Sequence, residues 1–273
     1  MGKDAPSKSI VKIMSFKDVY YIIYDDIIRN YSLFKSKRSN IHGIILMYHH
    51  VIIDENMPLG TCVCTVDEFK NSLDEIAKYG YKFVSLDEAN EIMKKGDNTK
   101  FVSITFDDVP NDFYENAYPV LLNKNFPFTL FLTVDYLNKE GYLNKEQVIE
   151  LCKNPLCTIG AHTLSHPQLR NCIYAEREIY ESKEALENLI SKEIKYFAYP
   201  YGKMSSVSRK IINMVADAGF ICAFGTSDAP LSDISGRDIY YLPRIVYQRG
   251  CFKDKFKYSF FAEYVVRRFL KHK

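Results

Sequence analysis

The stretch FVSITFDDVP, Phe101 to Pro110, begins as a buried strand and ends in two adjacent carboxylates. Its first six residues are apolar or β-branched apart from Ser103, which is typical of a strand inside a hydrophobic core. Asp107 and Asp108 follow at the point where this strand leaves the core. Because two neighbouring like charges repel, the pair indicates a cationic partner elsewhere in the site.

The chain around this strand alternates between strand-like and helix-like segments. The strand-like segments are IILMY (44–48), YKFVSL, FVSITF, FTLFLTV, CTIGAH, YFAYP, FICAFG and YYLPRIV. The predicted helices are 66–79 (opened by Thr65), 87–95 (closed by Gly96), 114–124, 145–153, 175–191 and 206–218. About seven such alternations predict a parallel sheet and favour a closed or nearly closed barrel. The expected fold class is α/β, a distorted (β/α)7-type barrel with a single catalytic domain.

Three segments are expected along the chain: an N-terminal helical extension (1–40), the barrel (41–250) and a basic C-terminal helix (251–273). The net charge of +2 argues against a nucleic-acid partner. The charge is uneven, because residues 1–41 carry +4 and residues 249–273 carry +6, which leaves an acidic middle. The sequence does not indicate the oligomeric state.

The expected location is the cytoplasm. No apolar run reaches the roughly 18 residues of a membrane span, and the N-terminus lacks the apolar core of a secretory signal. Seven cysteines without a repeated CxxC are expected to be reduced thiols. The C-terminal segment KDKFKYSFFAEYVVRRFLKHK is expected to pack on the barrel, or alternatively to rest on anionic lipid at the inner face of the membrane.

Polar residues follow several predicted strands, and the ends of parallel strands meet at one rim of a barrel. These residues are His49 and His50, Asp107 and Asp108, His162 and His166, and Pro200 to Gly202. His162 and His166 are four positions apart, so one helical turn would bring both imidazoles to one side. A carboxylate from a neighbouring strand would complete three ligands and leave a position for water, as in catalytic metal sites.

A metal would also explain why two carboxylates stand side by side. If one aspartate binds the cation and the other faces the water, the cation offsets their repulsion. The alternative is that Asp107 and Asp108 begin a turn while His162 and His166 cap or pack locally. Both motifs end an apolar strand, and together they favour the metal site.

The motifs TFDD, HTLSHP and FAYPYG resemble the first three motifs of the polysaccharide deacetylase family, the NodB-homology domains of carbohydrate esterase family 4. The flanking segments ILMYHHV, TVDEFKNSLDEIAKYGYKFVSLDE and NAYPVLLNKNFPFTLFLT agree in order and spacing, so the resemblance covers about residues 41–250. The Tyr-His start and the YPYG motif are most similar to the branch of poly-N-acetylglucosamine deacetylases.

This resemblance implies removal of an acetyl group from an N-acetylated saccharide. Asp108, His162 and His166 would bind a divalent metal, zinc in the first place, with cobalt or nickel as alternatives. Asp107 would be the general base that deprotonates the water on the metal. The backbone N–H of Tyr201 would help the metal to hold the oxyanion.

The sequence departs from the family at several positions. The late histidine that serves many members as general acid is missing, so His49 is the candidate, or else it only lines the pocket. The third motif lacks its arginine; Arg244 is expected either to orient Asp107 or to bind a substrate anion. Val109 replaces the usual glycine after TFDD and is expected to narrow substrate access.

The chain contains no tryptophan, although a tryptophan often lines the acetyl pocket of the family. The candidates for pocket walls and sugar stacking are therefore Tyr48, Tyr199, Tyr201 and Leu242. These departures leave two alternatives to a deacetylase: a non-catalytic saccharide-binding protein that retains the fold, and a hydrolase of another acyl group such as O-acetyl or formyl.

Overall fold

The computed structural model describes residues 42–54, 56, 58, 62–231 and 239–250. The expected N-terminal extension and basic C-terminal helix lie outside these residues, so both stay predictions, as do the cytoplasmic location and the membrane contact. No helix of the described residues has the length and apolar character to cross a bilayer.

A curled parallel sheet of eight strands forms the centre of the structure. The strands are β1 His42–Tyr48, β2 His50–Ile52, β3 Val63–Thr65, β4 Lys82–Phe83, β5 Lys100–Asp107, β6 Phe128–Leu132, β7 Cys157–Ala161, β8 Tyr196–Ala198, β9 Cys222–Phe224 and β10 Ile245–Val246. The order in the eight-stranded sheet is β10-β1-β5-β6-β7-β8-β9, and β4 pairs with the first half of β5. A separate parallel pair, β2 and β3, was not predicted because each strand has only three residues.

Six α-helices in the described residues alternate with these strands. They are α1 Val66–Lys78, α2 Leu86–Lys95, α3 Tyr118–Lys124, α4 Lys145–Leu151, α5 Ala175–Ile190 and α6 Arg209–Asp217. The expected α/β fold class is confirmed, with the sheet curled into a half-barrel.

The predicted helix ends are confirmed where the capping chemistry is strong. Thr65 caps α1 in a capping box with Glu68, and Gly96 ends α2 in the left-handed conformation with φ 63°. The helix predicted over 114–124 was partly wrong, because its first turn, Phe113–Ala117, is π-helical. Pro119 at the start of α3 has no N–H to donate to the preceding turn, which explains the break.

Alternate residues of each strand face opposite sides of the sheet and build two cores. The even-numbered residues of β5, such as Ile104 and Phe106, pack in the larger core with the helices. On the other face, Phe101 belongs to a second core cluster that includes Phe131 of β6 and Phe224 of β9. Asp107 has the same parity as Phe101, so the strand directs this carboxylate to the inner face of the curled sheet.

The segment around residues 242–246 lies between the two edges of the sheet. Leu242 pairs with Phe224 beside β9, and β10 pairs with β1 through Leu46–Ile245 and Met47–Val246. Backbone hydrogen bonds of 2.8 Å join Leu242 to Ala223 and to Gly225. This bridging segment carries Arg244 into the interior, where its side chain is fully buried.

Candidate active site

The sequence-predicted residues gather at the carboxyl ends of the strands. Asp107 is the last residue of β5, Asp108 follows it, and His162 directly follows β7. Interactions among the described residues then link the group: Asp107 with Arg244, Asp108 with His162 and His166, and the ring of Tyr201 with that of His166. His49 lies close enough to interact electrostatically with both aspartates.

Asp108, His162 and His166 present ligand atoms that all lie within 4.8 Å of one another. The Asp108 Oδ1 atom is 3.5 Å from His166 Nε2 and 3.9 Å from His162 Nε2. Two ligands that each lie about 2.1 Å from one cation are about 3.4 Å apart at a tetrahedral angle and at most about 4.2 Å apart. Both distances from Asp108 Oδ1 therefore suit a divalent cation shared by Asp108 and each histidine.

The hydrogen bonds of His162 fix the tautomer that a metal ligand needs. Its Nδ1 lies 2.7 Å from the Ala198 carbonyl oxygen, which can only accept, so Nδ1 carries the proton. The lone pair is then on Nε2, the atom that faces Asp108. Buried Thr133 donates to the His162 carbonyl oxygen at 3.2 Å and lies 3.3 Å from Asp108 Oδ1. The donor set, one carboxylate and two imidazoles with an oriented ring, fits zinc or a similar divalent ion.

Asp107 is paired with Arg244 by two parallel hydrogen bonds of 2.6 Å, from Nη1 to Oδ1 and from Nη2 to Oδ2. Burial raises the pKa of the Asp107 carboxyl, but the charge of Arg244, the nearby His162 ring and the Arg244 hydrogen bonds outweigh burial and lower this pKa to about 2. Asp107 is therefore ionised at neutral pH. Its Oδ2 atom lies 3.9 Å from His162 Nε2, at the edge of the candidate metal position.

The Arg244 guanidinium is held by further contacts in the interior. Its Nε donates to the Gly225 carbonyl oxygen at 3.1 Å, and Nη1 also donates to the Thr105 hydroxyl oxygen at 3.1 Å. The guanidinium carbon lies 5.4 Å from the centre of the Phe131 ring. Of the two roles that the sequence left open for Arg244, the observed contacts match the orientation of Asp107.

His49 faces the same group of charges. Burial lowers the pKa of its imidazole, Asp107 and Asp108 oppose this shift, and His162 adds to it. The Nδ1 atom of His49 is buried and has no hydrogen-bond partner among the described residues. The adjacent His50 is exposed and binds Asp112 at 2.6 Å, away from the three candidate ligands.

The loops at this edge contain several non-glycine residues in the left-handed backbone region. Their φ angles are 60° at Asp108, 48° at Val109, 71° at Thr163, 63° at His166 and 62° at Tyr201. Each such residue costs on the order of 1–3 kcal/mol, and such strain is concentrated at functional sites in proteins. Strain of this kind persists only where the surrounding structure holds the loops in place.

Four residues were predicted to form the pocket walls or to stack on the sugar, and three of them belong to the core. Tyr48, Tyr199 and Leu242 are at most 2% exposed. Tyr48 has the same parity as Ile44 and Leu46 in β1, so the strand turns it toward the helices, where its hydroxyl bonds to Ser72. The prediction that Tyr48 and Tyr199 stack on a sugar was therefore wrong, whereas a role of Leu242 as a pocket wall stays a prediction.

Tyr201 is the predicted aromatic that does lie at the surface, 59% exposed, with its ring 5.0 Å from that of His166. Val109 is 1% exposed and packs in the larger core, so the expectation that it narrows access was also wrong.

Two further tyrosines lie beside the candidate site. The Tyr136 ring is 6.1 Å from the His166 ring and 4.6 Å from the Tyr142 ring. Burial and the nearby Asp108 charge raise the pKa of both phenols. Tyr136 lies soon after β6, so its position at the end of a predicted strand could have identified it as a site residue. Tyr142 is not close to the end of a strand, and its sequence position does not indicate a place in the site.

Fold and site together define a curled parallel α/β protein with an Asp-His-His group at the carboxyl edge of its sheet. The family model described as polysaccharide deacetylase matches residues 94–221. Over this region the chain is similar to the polysaccharide deacetylase family.

Individual relatives show the same similarity. The poly-beta-1,6-N-acetyl-D-glucosamine N-deacetylase of Staphylococcus aureus (strain MSSA476) is 28% identical over 206 residues, which cover 70% of this chain and 69% of the relative. The Streptococcus pyogenes deacetylase PplD, solved in complex with acetate, superposes with a TM-score of 0.70 at 23% identity, covering 80% of this chain and 98% of that one. IcaB from Ammonifex degensii superposes with a TM-score of 0.66 at 23% identity, covering 81% and 97%. The two solved structures support the fold.

Proposed function

We propose that the protein is a metal-dependent hydrolase that removes the acetyl group from an N-acetylated amino sugar in a polysaccharide or glycan precursor. The observation that carries the proposal is the convergence of Asp108, His162 and His166, with the ionised Asp107 beside them. The printed activity of the Staphylococcus aureus relative supports the choice of an N-acetylated saccharide.

Asp108, His162 and His166 would hold the divalent metal, with zinc as the first candidate and cobalt or nickel as alternatives. When bound, such a cation polarises a carbonyl group and makes water more acidic. The His162 Nδ1–H bond to Ala198 keeps the Nε2 lone pair directed to this position. Three protein ligands leave room for water and for the substrate carbonyl.

Asp107 is proposed to be the general base. Its carboxylate lies beside the ligand group and is ionised at neutral pH, so one of its oxygens can accept a proton from the attacking water. The paired bonds from Arg244 fix the plane of the carboxylate, and each carboxylate oxygen keeps a further lone pair. Arg244 therefore acts by orienting the base.

The backbone N–H of Tyr201 and the imidazole of His49 are proposed to complete the reaction. Tyr201 stands next to the ligand group with φ 62°, and its N–H would stabilise the charge on the substrate oxygen. His49 would protonate the leaving amine, and its buried Nδ1 is available to carry that proton. Burial lowers the pKa of His49, which makes the protonated ring a stronger acid.

The test is acetate release from N-acetylated nucleotide sugars, lipid-linked sugars, chito-oligosaccharides and β-1,6-linked N-acetylglucosamine oligomers. Parent protein and Asp107→Asn are compared, each loaded with zinc, cobalt or nickel. We expect release by the parent, and a loss of about 100-fold or more in the variant while its metal content persists. Because the variant leaves Arg244 without its buried partner, its folding is checked by circular dichroism.

Three results would contradict the proposal in different ways. A parent that holds no divalent metal and releases no acetate after metal addition would remove the hydrolase assignment. Sugar binding without turnover, unchanged in Asp107→Asn, would instead indicate a saccharide-binding protein. Release of O-acetyl or formyl groups alone would keep the chemistry and change the acyl group.

A further inference from the structure

The loop between His162 and His166 is tied to helix α5 by one carboxylate. Glu178 Oε2 accepts the backbone N–H groups of Leu164 and Ser165, both at 2.9 Å. Its other oxygen, Oε1, accepts the Ser165 hydroxyl at 2.6 Å. Glu178 therefore makes three hydrogen bonds to the two residues between Thr163 and His166.

This loop needs such an anchor because its backbone is strained at both ends. Thr163 and His166 have φ angles of 71° and 63°, in the left-handed region that side chains disfavour. Within the loop, the Thr163 hydroxyl oxygen accepts the His166 N–H at 3.0 Å, which leaves the two middle N–H groups to Glu178. Hydrogen bonds to an ionised acceptor are about twice as strong as neutral ones.

Helix α5 provides a rigid base for the anchor. Glu178 is in its first turns, and the next residue, Ile179, is fully buried in the larger core with Leu186 further along the helix. The core packing holds the helix in place, and the hydrogen bonds to Glu178 hold the loop against the helix. The loop conformation in turn sets where His166 Nε2 lies relative to Asp108.

We propose that Glu178 is a positioning residue for the metal: it holds the His162–His166 loop in the conformation that brings both imidazoles to one cation. This inference rests on the proposed function, in which Asp108, His162 and His166 bind the metal. Partners of metal ligands typically change metal affinity by about 10- to 100-fold when they are removed.

Three substitutions separate geometry from charge. Glu178→Ala removes all three bonds, and Glu178→Asp shortens the side chain by one methylene so that the carboxylate no longer reaches both backbone N–H groups. Glu178→Gln keeps the length: its amide oxygen can accept both N–H groups, and its amide nitrogen can donate to the Ser165 hydroxyl oxygen. A matched control is Glu181→Ala, which removes an exposed carboxylate of the same helix that pairs with Arg177 at 3.0 Å.

The probe is Co²⁺ alone, added to metal-free full-length protein. Isothermal titration gives the affinity, and the visible absorption of bound Co²⁺ reports the geometry of its ligands. We expect affinity to fall by about 10- to 100-fold in Glu178→Ala and Glu178→Asp, with a changed spectrum. Glu178→Gln should recover most of the affinity and the parent spectrum, and Glu181→Ala should match the parent.

The outcomes distinguish this inference from the proposed function. A parent that does not bind Co²⁺ would overturn the metal site itself. A parent that binds Co²⁺, with the same affinity and spectrum in Glu178→Ala and Glu178→Asp, would overturn the role of Glu178 alone. If Glu178→Ala does not fold, Glu178→Asp decides, and a parent-like affinity and spectrum in that variant overturn the inference.

Discussion

The Arg244 guanidinium and the Asp107 carboxylate form a buried two-point ion pair, with both N–O distances at 2.6 Å. They are 137 residues apart in sequence, because Asp107 ends β5 and Arg244 directly precedes β10. Arg244 is brought in by the bridging segment between β9 and β1. The contact between the β9 and β1 sides of the sheet and the orientation of the proposed base therefore depend on the same short segment.

Arg244→Lys is expected to reduce both stability and activity. A lysine ammonium cannot make the two parallel bonds, and the bond to Gly225 is lost as well. We expect the free energy of unfolding in urea to fall by about 3 kcal/mol or more. Acetate release should fall by about 100-fold, because Asp107 is no longer held in place.

Arg209→Lys is the matched control for that substitution, because Arg209 is exposed at the start of α6. Arg209→Lys should leave the free energy of unfolding and the rate of acetate release unchanged. Parent-like acetate release by Arg244→Lys would remove the orienting role of Arg244.

The low pKa of Asp107 predicts a loss of stability in acid. Its pKa is about 2 in the folded protein against an ordinary 3.8, so the unfolded chain binds the proton more readily. The resulting stabilisation is fully present above about pH 4 and is lost as pH falls towards 2. Its size is on the order of 2 kcal/mol.

Urea unfolding of the metal-free protein between pH 2 and 5 measures this loss. Asp107→Asn removes the titrating group, so its unfolding free energy should fall less steeply over the same range. Equal slopes in parent and variant would show that Asp107 does not have the lowered pKa.

Metal binding should stabilise the folded protein and depend on His166. A cation that binds only the folded state adds about 2.7 kcal/mol to the unfolding free energy at 100 times its dissociation constant. Zinc should produce this increase in the parent and a much smaller one in His166→Ala. A chelator should abolish acetate release, and added zinc should restore it.

His50→Ala is the control for the metal experiment. His50 is exposed and binds Asp112 outside the three candidate ligands, so the zinc-induced increase should persist in this variant. An increase that survives in His166→Ala would place the cation elsewhere.

Strand parity explains much of what the sequence could predict. The apolar run of β5 identifies a buried strand, and alternation places Asp107 on the inner face with Phe101. The same rule would have excluded Tyr48 and Tyr199 as pocket walls, because they share the helix-facing parity of Ile44 and Phe197.

Strand parity could not predict the conformations of the loops at the carboxyl edge of the sheet. Their conformations depend on left-handed residues and on long-range hydrogen bonds, such as those from the 162–166 loop to Glu178. A helical charge pattern gives no sign that one glutamate of α5 faces this loop. The position of Tyr142 beside Tyr136 is likewise set by tertiary packing.

Val109 provides a test of backbone strain beside Asp108. It is buried and has φ 48°, a conformation that glycine adopts freely and that costs other residues about 1–2 kcal/mol. Both Val109→Ala and Val109→Gly lose core contacts, but only glycine relieves the strain. We therefore expect Val109→Gly to be more stable in urea than Val109→Ala by about 0.5–1 kcal/mol.

Val215 in the last turn of α6 is the matched control, because it is equally buried but helical. There the order should reverse, with Val215→Gly less stable than Val215→Ala by about 1 kcal/mol. The same order at both positions would mean that Val109 stores no backbone strain next to the proposed metal ligand. If glycine is more stable than alanine at position 109 but less stable at position 215, the turn after β5 holds Val109 in a backbone conformation that valine disfavours.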